Sequence, residues 1–201
     1  MKDKKNKCSK GVLIGTLLAM LLVIVGVCLA VYIYISSPKT VQEEKLDGGN
    51  IYLTYTDDVC GLTLTNLGLF SDDNGMALNI ADLYFDFSVS VSLEDAQKIS
   101  YEISLVPDKT STVDDKYVKA YLEKQTSGTF TSVFEPDFIT LENSKTALGS
   151  PKGSMVLHTE EKNKSTSDNY RLRLWVSDEN QVQLTPQDII SYKVVVNGKA
   201  S

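Results

Sequence analysis

Leu83-Tyr84-Phe85-Asp86-Phe87-Ser88-Val89-Ser90-Val91 is apolar at every odd position and mainly polar at the even ones. A period of two suits an extended strand with one face in a core and the other in water. The same alternation returns in residues 99–105 (ISYEISL), 170–176 (YRLRLWV) and 190–196 (ISYKVVV). Shorter candidate strands lie at 51–56, 62–66, 117–123 and 155–159. For 117–123 a helix stays open, because Asp114-Asp115 ahead of it could also start one. Turn residues punctuate the pattern at Asp72-Asp73-Asn74-Gly75, Val106-Pro107-Asp108, Ser127-Gly128, Gly149-Ser150-Pro151 and Asn197-Gly198. About eight strands with little helix predict an all-β domain, an antiparallel β-sandwich, with a barrel as the second choice. Residues 160–169 (EEKNKSTSDN) read as a long polar hairpin loop.

Upstream of the domain the chemistry changes. Residues 1–10 hold five Lys and one Asp, and residues 11–35 (GVLIGTLLAMLLVIVGVCLAVYIYI) hold no charge. As a helix this stretch rises about 37 Å, against about 30 Å for a hydrocarbon core. It predicts one transmembrane helix with the basic segment in the cytoplasm, since only Lys39 and Lys45 follow closely on the other side. Tyr32 and Tyr34 fall near the outer boundary, where amphipathic rings settle. A cleaved signal peptide fits less well. Its apolar stretch should be about 7–15 residues, and the best cleavage site, Cys28-Leu29-Ala30, is followed by another apolar run. Gly11, Gly15, Ala19, Gly26 and Ala30 share about 100° of helix arc, a face that permits close approach of another helix. Residues 36–50, with Pro38 and Gly48-Gly49, read as a linker, and residues 51–201 as the extracellular domain.

Removing the five Lys and Asp3 from the 20 basic and 26 acidic residues leaves 15 and 25 beyond position 35, a net charge of −10. Such a domain repels nucleic acid and anionic lipid surfaces. Cys8, Cys28 and Cys60 fall in three compartments by this topology, so the domain has to fold on its apolar core without an intrachain disulfide.

Signals for chemistry are sparse. The one histidine, His158, lies in a candidate strand, and no G-x-S-x-G elbow accompanies it. One His and one external Cys, Cys60, fall short of a zinc site. Asp57-Asp58 and Asp72-Asp73-Asn74-Gly75 lack the spacing of a calcium loop, and a β-turn explains Asn74-Gly75. Asn163-Lys164-Ser165 fits a glycosylation sequon. No cofactor, metal or catalytic residue is expected.

The most unusual feature is Arg171, Arg173 and Trp175, the two arginines and the one tryptophan of the chain, at alternate positions of one strand. Period two puts them on one sheet face and Tyr170, Leu172, Leu174 and Val176 on the other. Two roles are open. They form a contact patch for a carboxylate-bearing or glycan partner, or a structural ladder in which the forks pair with carboxylates such as Asp86 or Glu102.

Three segments carry a resemblance: residues 71–75 (SDDNG) leading into the aromatic alternating strand, 101–105 (YEISL), and 170–176 (YRLRLWV). In these the chain resembles poorly characterised membrane-anchored or secreted β-sandwich envelope proteins of low-GC Gram-positive bacteria. Where that group would place an Asn-rich turn, this chain has Val91-Ser92-Leu93-Glu94. The resemblance implies a sandwich outside the cell and transfers no activity. The expectation is a surface-displayed domain with a structural or interaction role, in contact with the bilayer, a helix partner in the membrane, and an extracellular protein or glycan. The alternative is an accessory subunit of a membrane transport or secretion complex.

Overall fold

The alternating segments become strands because each can bury one row of side chains against a second sheet. The computed structural model describes Met20 and residues 39–201 apart from 56–60, 81–82 and 97. Among these the chain forms eleven strands: β1 (Lys39–Leu46), β2 (Gly49–Tyr55), β3 (Gly61–Leu64), β4 (Leu69–Phe70), β5 (Tyr84–Leu93), β6 (Ile99–Pro107), β7 (Val118–Thr126), β8 (Thr129–Phe138), β9 (Met155–Lys162), β10 (Thr166–Ser177) and β11 (Ile190–Ala200). A one-turn helix, α1 (Asp72–Met76), and a 3₁₀ turn (Asp115–Tyr117) complete the set.

The strands make two sheets packed as a sandwich. The larger runs β1-β2-β5-β10-β7-β8, with β4 joined in parallel to the end of β10; the smaller runs β3-β11-β6-β9. Every other pairing is antiparallel. Phe85, Phe87, Val89, Leu172 and Leu174 from the larger sheet meet Tyr101, Ile103, Leu105, Tyr192 and Val194 from the smaller, all buried. Among the described strands only β1–β2 and β7–β8 are hairpins; most other connections change sheet. The β7–β8 turn uses Ser127 and Gly128 at φ +53° and +86°, the left-handed pair that a two-residue hairpin needs.

Several expectations change. The linker read over residues 36–50 is in large part sheet: Lys39–Leu46 is β1, paired with β2 through the Asp47-Gly48 turn. Its polar composition suits an edge strand, and two of its side chains have a specific task. Gln42 donates Nε2 to Val196 O (2.7 Å) and accepts from Val196 N (3.2 Å), while Glu44 accepts from Gly198 N (3.1 Å). Side chains of the larger sheet's edge thus cap the open end of β11, which β3 pairs only from Ile190 to Lys193. Residues 160–169 are not a hairpin loop: β9 belongs to the smaller sheet and β10 to the larger, so this segment carries the chain between layers. Asn197-Gly198 is no turn either; Gly198 lies inside β11 where a Cβ would fall 2.5 Å from Ile51 Cδ1. Asp72 to Gly75 opens α1 in place of the expected β-turn. The open choice at 117–123 resolves as strand after the short 3₁₀ turn.

The expected membrane helix, its Gly11, Gly15, Ala19, Gly26 and Ala30 face, Cys60 and Asp57-Asp58 lie outside the described residues. Among the described residues no helix is long and apolar enough to cross a membrane.

Candidate functional site

Arg171, Arg173 and Trp175 stand together on the face of β10 that turns away from the inter-sheet core. Arg171 faces Asp86 on β5 in register and clamps it with both prongs: Nε to Oδ1 and Nη2 to Oδ2, each 2.7 Å. Its guanidinium lies between the rings of Tyr84 (4.1 Å) and Phe130 (4.4 Å). Paired first of all with Asp86, the group is held more basic than usual. Arg173 is buried and engaged through all three of its nitrogens, donating to Leu78 O (2.7 Å), to Asn79 Oδ1 (2.9 Å) and to the Glu123 carboxylate. Trp175 is buried beneath α1: a Cβ on Gly75 would fall 2.3 Å from the indole, so only glycine lets the helix sit there. Next to it Lys119 holds both Asp72 oxygens at 2.9 Å and Glu179 at 2.5 Å. Burial works against its charge, and the two carboxylates more than offset that.

Asp86 thus takes the place the ladder reading assigned it. Glu102 does not: it belongs to the smaller sheet, where it accepts from Ser150 N (2.8 Å) and the Thr146 hydroxyl.

A second polar group joins the two sheets and was not anticipated. Glu160 on β9 accepts from Lys124 on β7 (2.6 and 2.8 Å), from Lys162 (2.7 Å), and from the phenols of Tyr101 (2.8 Å) and Tyr170 (2.9 Å). The two phenols touch each other at 2.8 Å in the core. Asp168 closes the set at 2.7 Å from Lys162 Nζ and 3.2 Å from Lys124 Nζ. Two carboxylates balance two ammoniums. Burial pushes the Glu160 carboxyl up, but the lysine and phenol donors outweigh it and hold the group well below the usual carboxylate range. Burial pushes both phenols far above their ordinary range, so neither ionises near neutrality. His158 lies beside the group, its Nε2 3.6 Å from Glu160 Oε2, beyond hydrogen-bond reach. Burial lowers its pKa and favours the neutral ring. Bonded from both sheets at once, the cluster has the geometry of a clamp.

Two signals could have pointed to it. Tyr170 occupies a core parity yet carries a hydroxyl that must find a partner. Glu160 and Lys162 share a parity in a stretch read as loop. What hid the cluster was the sheet change between β9 and β10.

Between Arg171 and the far end of β10 the outer face is neutral. Ser88 donates to Asn169 Oδ1 (2.6 Å), Asn169 donates to Gln125 Oε1 (3.0 Å), and Ser90 donates to Ser167 (2.8 Å). Cross-strand rows of hydroxyls and amides therefore run over β5, β10 and β7, with Phe130 opposite Gln125. Among the described residues no three His, Cys, Asp or Glu side chains gather as a metal site.

By its layers the described domain is a two-sheet β-sandwich. No family model and no curated protein matches the chain. Among solved structures, AvmM, described as catalysing macrocyclization in alchivemycin A biosynthesis, aligns with 80% of this chain and 96% of its own. The identity is 6% and the TM-score 0.24, a likeness that carries no argument about fold or activity.

Proposed function

We propose that the chain is a membrane-anchored, surface-displayed β-sandwich that works by contact with an extracellular protein or glycan, not by catalysis. The anchor is residues 11–35, uncharged and preceded by five lysines. The observation that carries the contact role is the division of polar groups in the domain. The charged groups at the two clusters are spent on each other: Glu160 and Asp168 on Lys124 and Lys162, Asp86 on Arg171, Glu123 on Arg173, and Asp72 and Glu179 on Lys119. Beside them, toward the start of β10, the outer face of β5, β10 and β7 presents hydroxyls and amides. Protease added to intact protoplasts should release a fragment beginning near residues 36–38, just ahead of β1. A domain protected from protease, or a mature N-terminus at Val31, would overturn the topology.

The second reading, an accessory subunit of a membrane transport or secretion complex, draws on the small-residue face at Gly11, Gly15, Ala19, Gly26 and Ala30. Crosslinking from that face in the native membrane separates the two: adducts to polytopic membrane subunits favour the accessory role.

A further inference from the structure

We infer that the outer face of β5, β10 and β7 is a platform for a neutral glycan, seated against Phe130 and hydrogen-bonded by Gln125, Asn169 and Arg171; this deepens the contact role proposed above and rests on it.

The argument begins with charge. The chain beyond residue 35 carries a net −10, yet from Arg171 to the start of β10 this face presents hydroxyls and amides, and the acids at its border, Asp86 and Glu123, are closed on Arg171 and Arg173. A polyanion is repelled by the domain as a whole. A polycation meets Asp86 with both oxygens already on Arg171. An apolar segment finds hydroxyls and amides in place of a greasy groove. A neutral polyhydroxyl ligand meets none of these penalties.

Hydrogen-bond arithmetic points the same way. In the row from Ser88 to Gln125, Asn169 spends its carbonyl and one N–H on its neighbours, and Gln125 spends its carbonyl. A side-chain amide has two N–H donors and a carbonyl. Gln125 uses its carbonyl, so among the described residues its NH₂ has no partner in the domain; Asn169 spends one of two N–H groups, and Ser167 accepts without donating. Arg171 spends Nε and Nη2 on Asp86 and keeps Nη1. These are ordered donors fixed by a lattice of cross-strand bonds, and sugar hydroxyls and ring oxygens are neutral acceptors. Order before binding lowers the entropy that association costs.

The aromatic element is also held. Arg171 sits between Tyr84 and Phe130, so the half-buried Phe130 ring is braced beside the amide row. A braced ring with polar neighbours suits a pyranose, which has an apolar C–H face and a polar rim.

The test uses the full chain in detergent micelles, with laminarin, mannan and chitin oligomers as neutral probes and hyaluronan as the polyanion. At least one neutral glycan should be retained. Gln125→Ala combined with Asn169→Ala, and separately Phe130→Ala, should each weaken that retention at least tenfold. The paired amide variant should melt with the parent, which keeps loss of binding distinct from loss of fold. Retention of no neutral glycan, selective retention of hyaluronan, or retention indifferent to both sets of changes overturns the platform. A photocrosslinker at position 130 that captures a protein, with no glycan bound, overturns the glycan and leaves the contact role standing. A protease-protected domain removes the contact role itself.

Discussion

Replacing Glu160 by Gln tests whether the inter-sheet cluster is a clamp. The substitution keeps size and a carbonyl acceptor for the Tyr101 and Tyr170 phenols, and removes the charge that Lys124 and Lys162 share. The ammoniums then face Asp168 alone, at 3.2 and 2.7 Å. The Glu160 side chain is 23% exposed and both lysines less, so water screens the pair only in part. A hydrogen bond to a charged group contributes about 1.5–3 kcal/mol. With one charge lost and Asp168 still compensating, the cost should be about 2 kcal/mol. For a domain of this size that lowers the melting temperature by about 4–8 °C. Glu160→Ala also strands two buried phenols and should cost about 3–4 kcal/mol. The pH dependence sharpens the test. The folded Glu160 carboxyl titrates below its ordinary 4.5, so its contribution is full above that value and is lost as pH falls toward the folded pKa. The gap between parent and Glu160→Gln should therefore hold from pH 5 to 8 and close in stronger acid, where the parent carries a neutral acid as well. Thermal unfolding followed by Trp175 emission reads both. Melting within 1 °C of the parent for both variants at pH 7, or a gap that widens in acid, would refute the clamp.

Arg173→Lys keeps the charge and loses the fork that reaches Leu78, Asn79 and Glu123 together; it should cost about 1–3 kcal/mol in denaturant unfolding. Gly75→Ala places a methyl in the Trp175 ring and should cost about 1–3 kcal/mol with a shift in indole emission; an unchanged spectrum and stability would mean that α1 does not rest on Trp175. Gln42→Ala with Glu44→Ala should uncap β11, read as faster hydrogen exchange at Val196 and Gly198 with little change at Ile103 in the sheet centre. Shortening the chain to begin at Ile51 removes β1, so it should unfold at lower denaturant than a chain begun at Ser36; equal midpoints would return β1 to the status of linker.

Binary pattern alone determined a good deal. The alternation in residues 83–91, 99–105, 170–176 and 190–196 specified strands and their inward rows, because a strand offers only two faces and apolar side chains must share one. It also put Arg171, Arg173 and Trp175 on a common face. It could not say which strand lies beside which, since pairing is settled by contacts between residues far apart in the chain. Asp86 and Glu102 were equal partners by sequence; the sheet order set Asp86 2.7 Å from Arg171 and put Glu102 in the other layer. The same ignorance made β1 read as linker, for its polar side chains bond the backbone of β11, over 150 positions away. Residues 160–169 looked like solvated loop because the distant partners of Glu160, the Lys124 ammonium and the Tyr101 and Tyr170 phenols, reach it only when β9 and β10 enter different sheets. Which face a residue takes is a local property of the backbone, legible in one segment; what it meets there is a property of two segments, and only packing the sheets decides it.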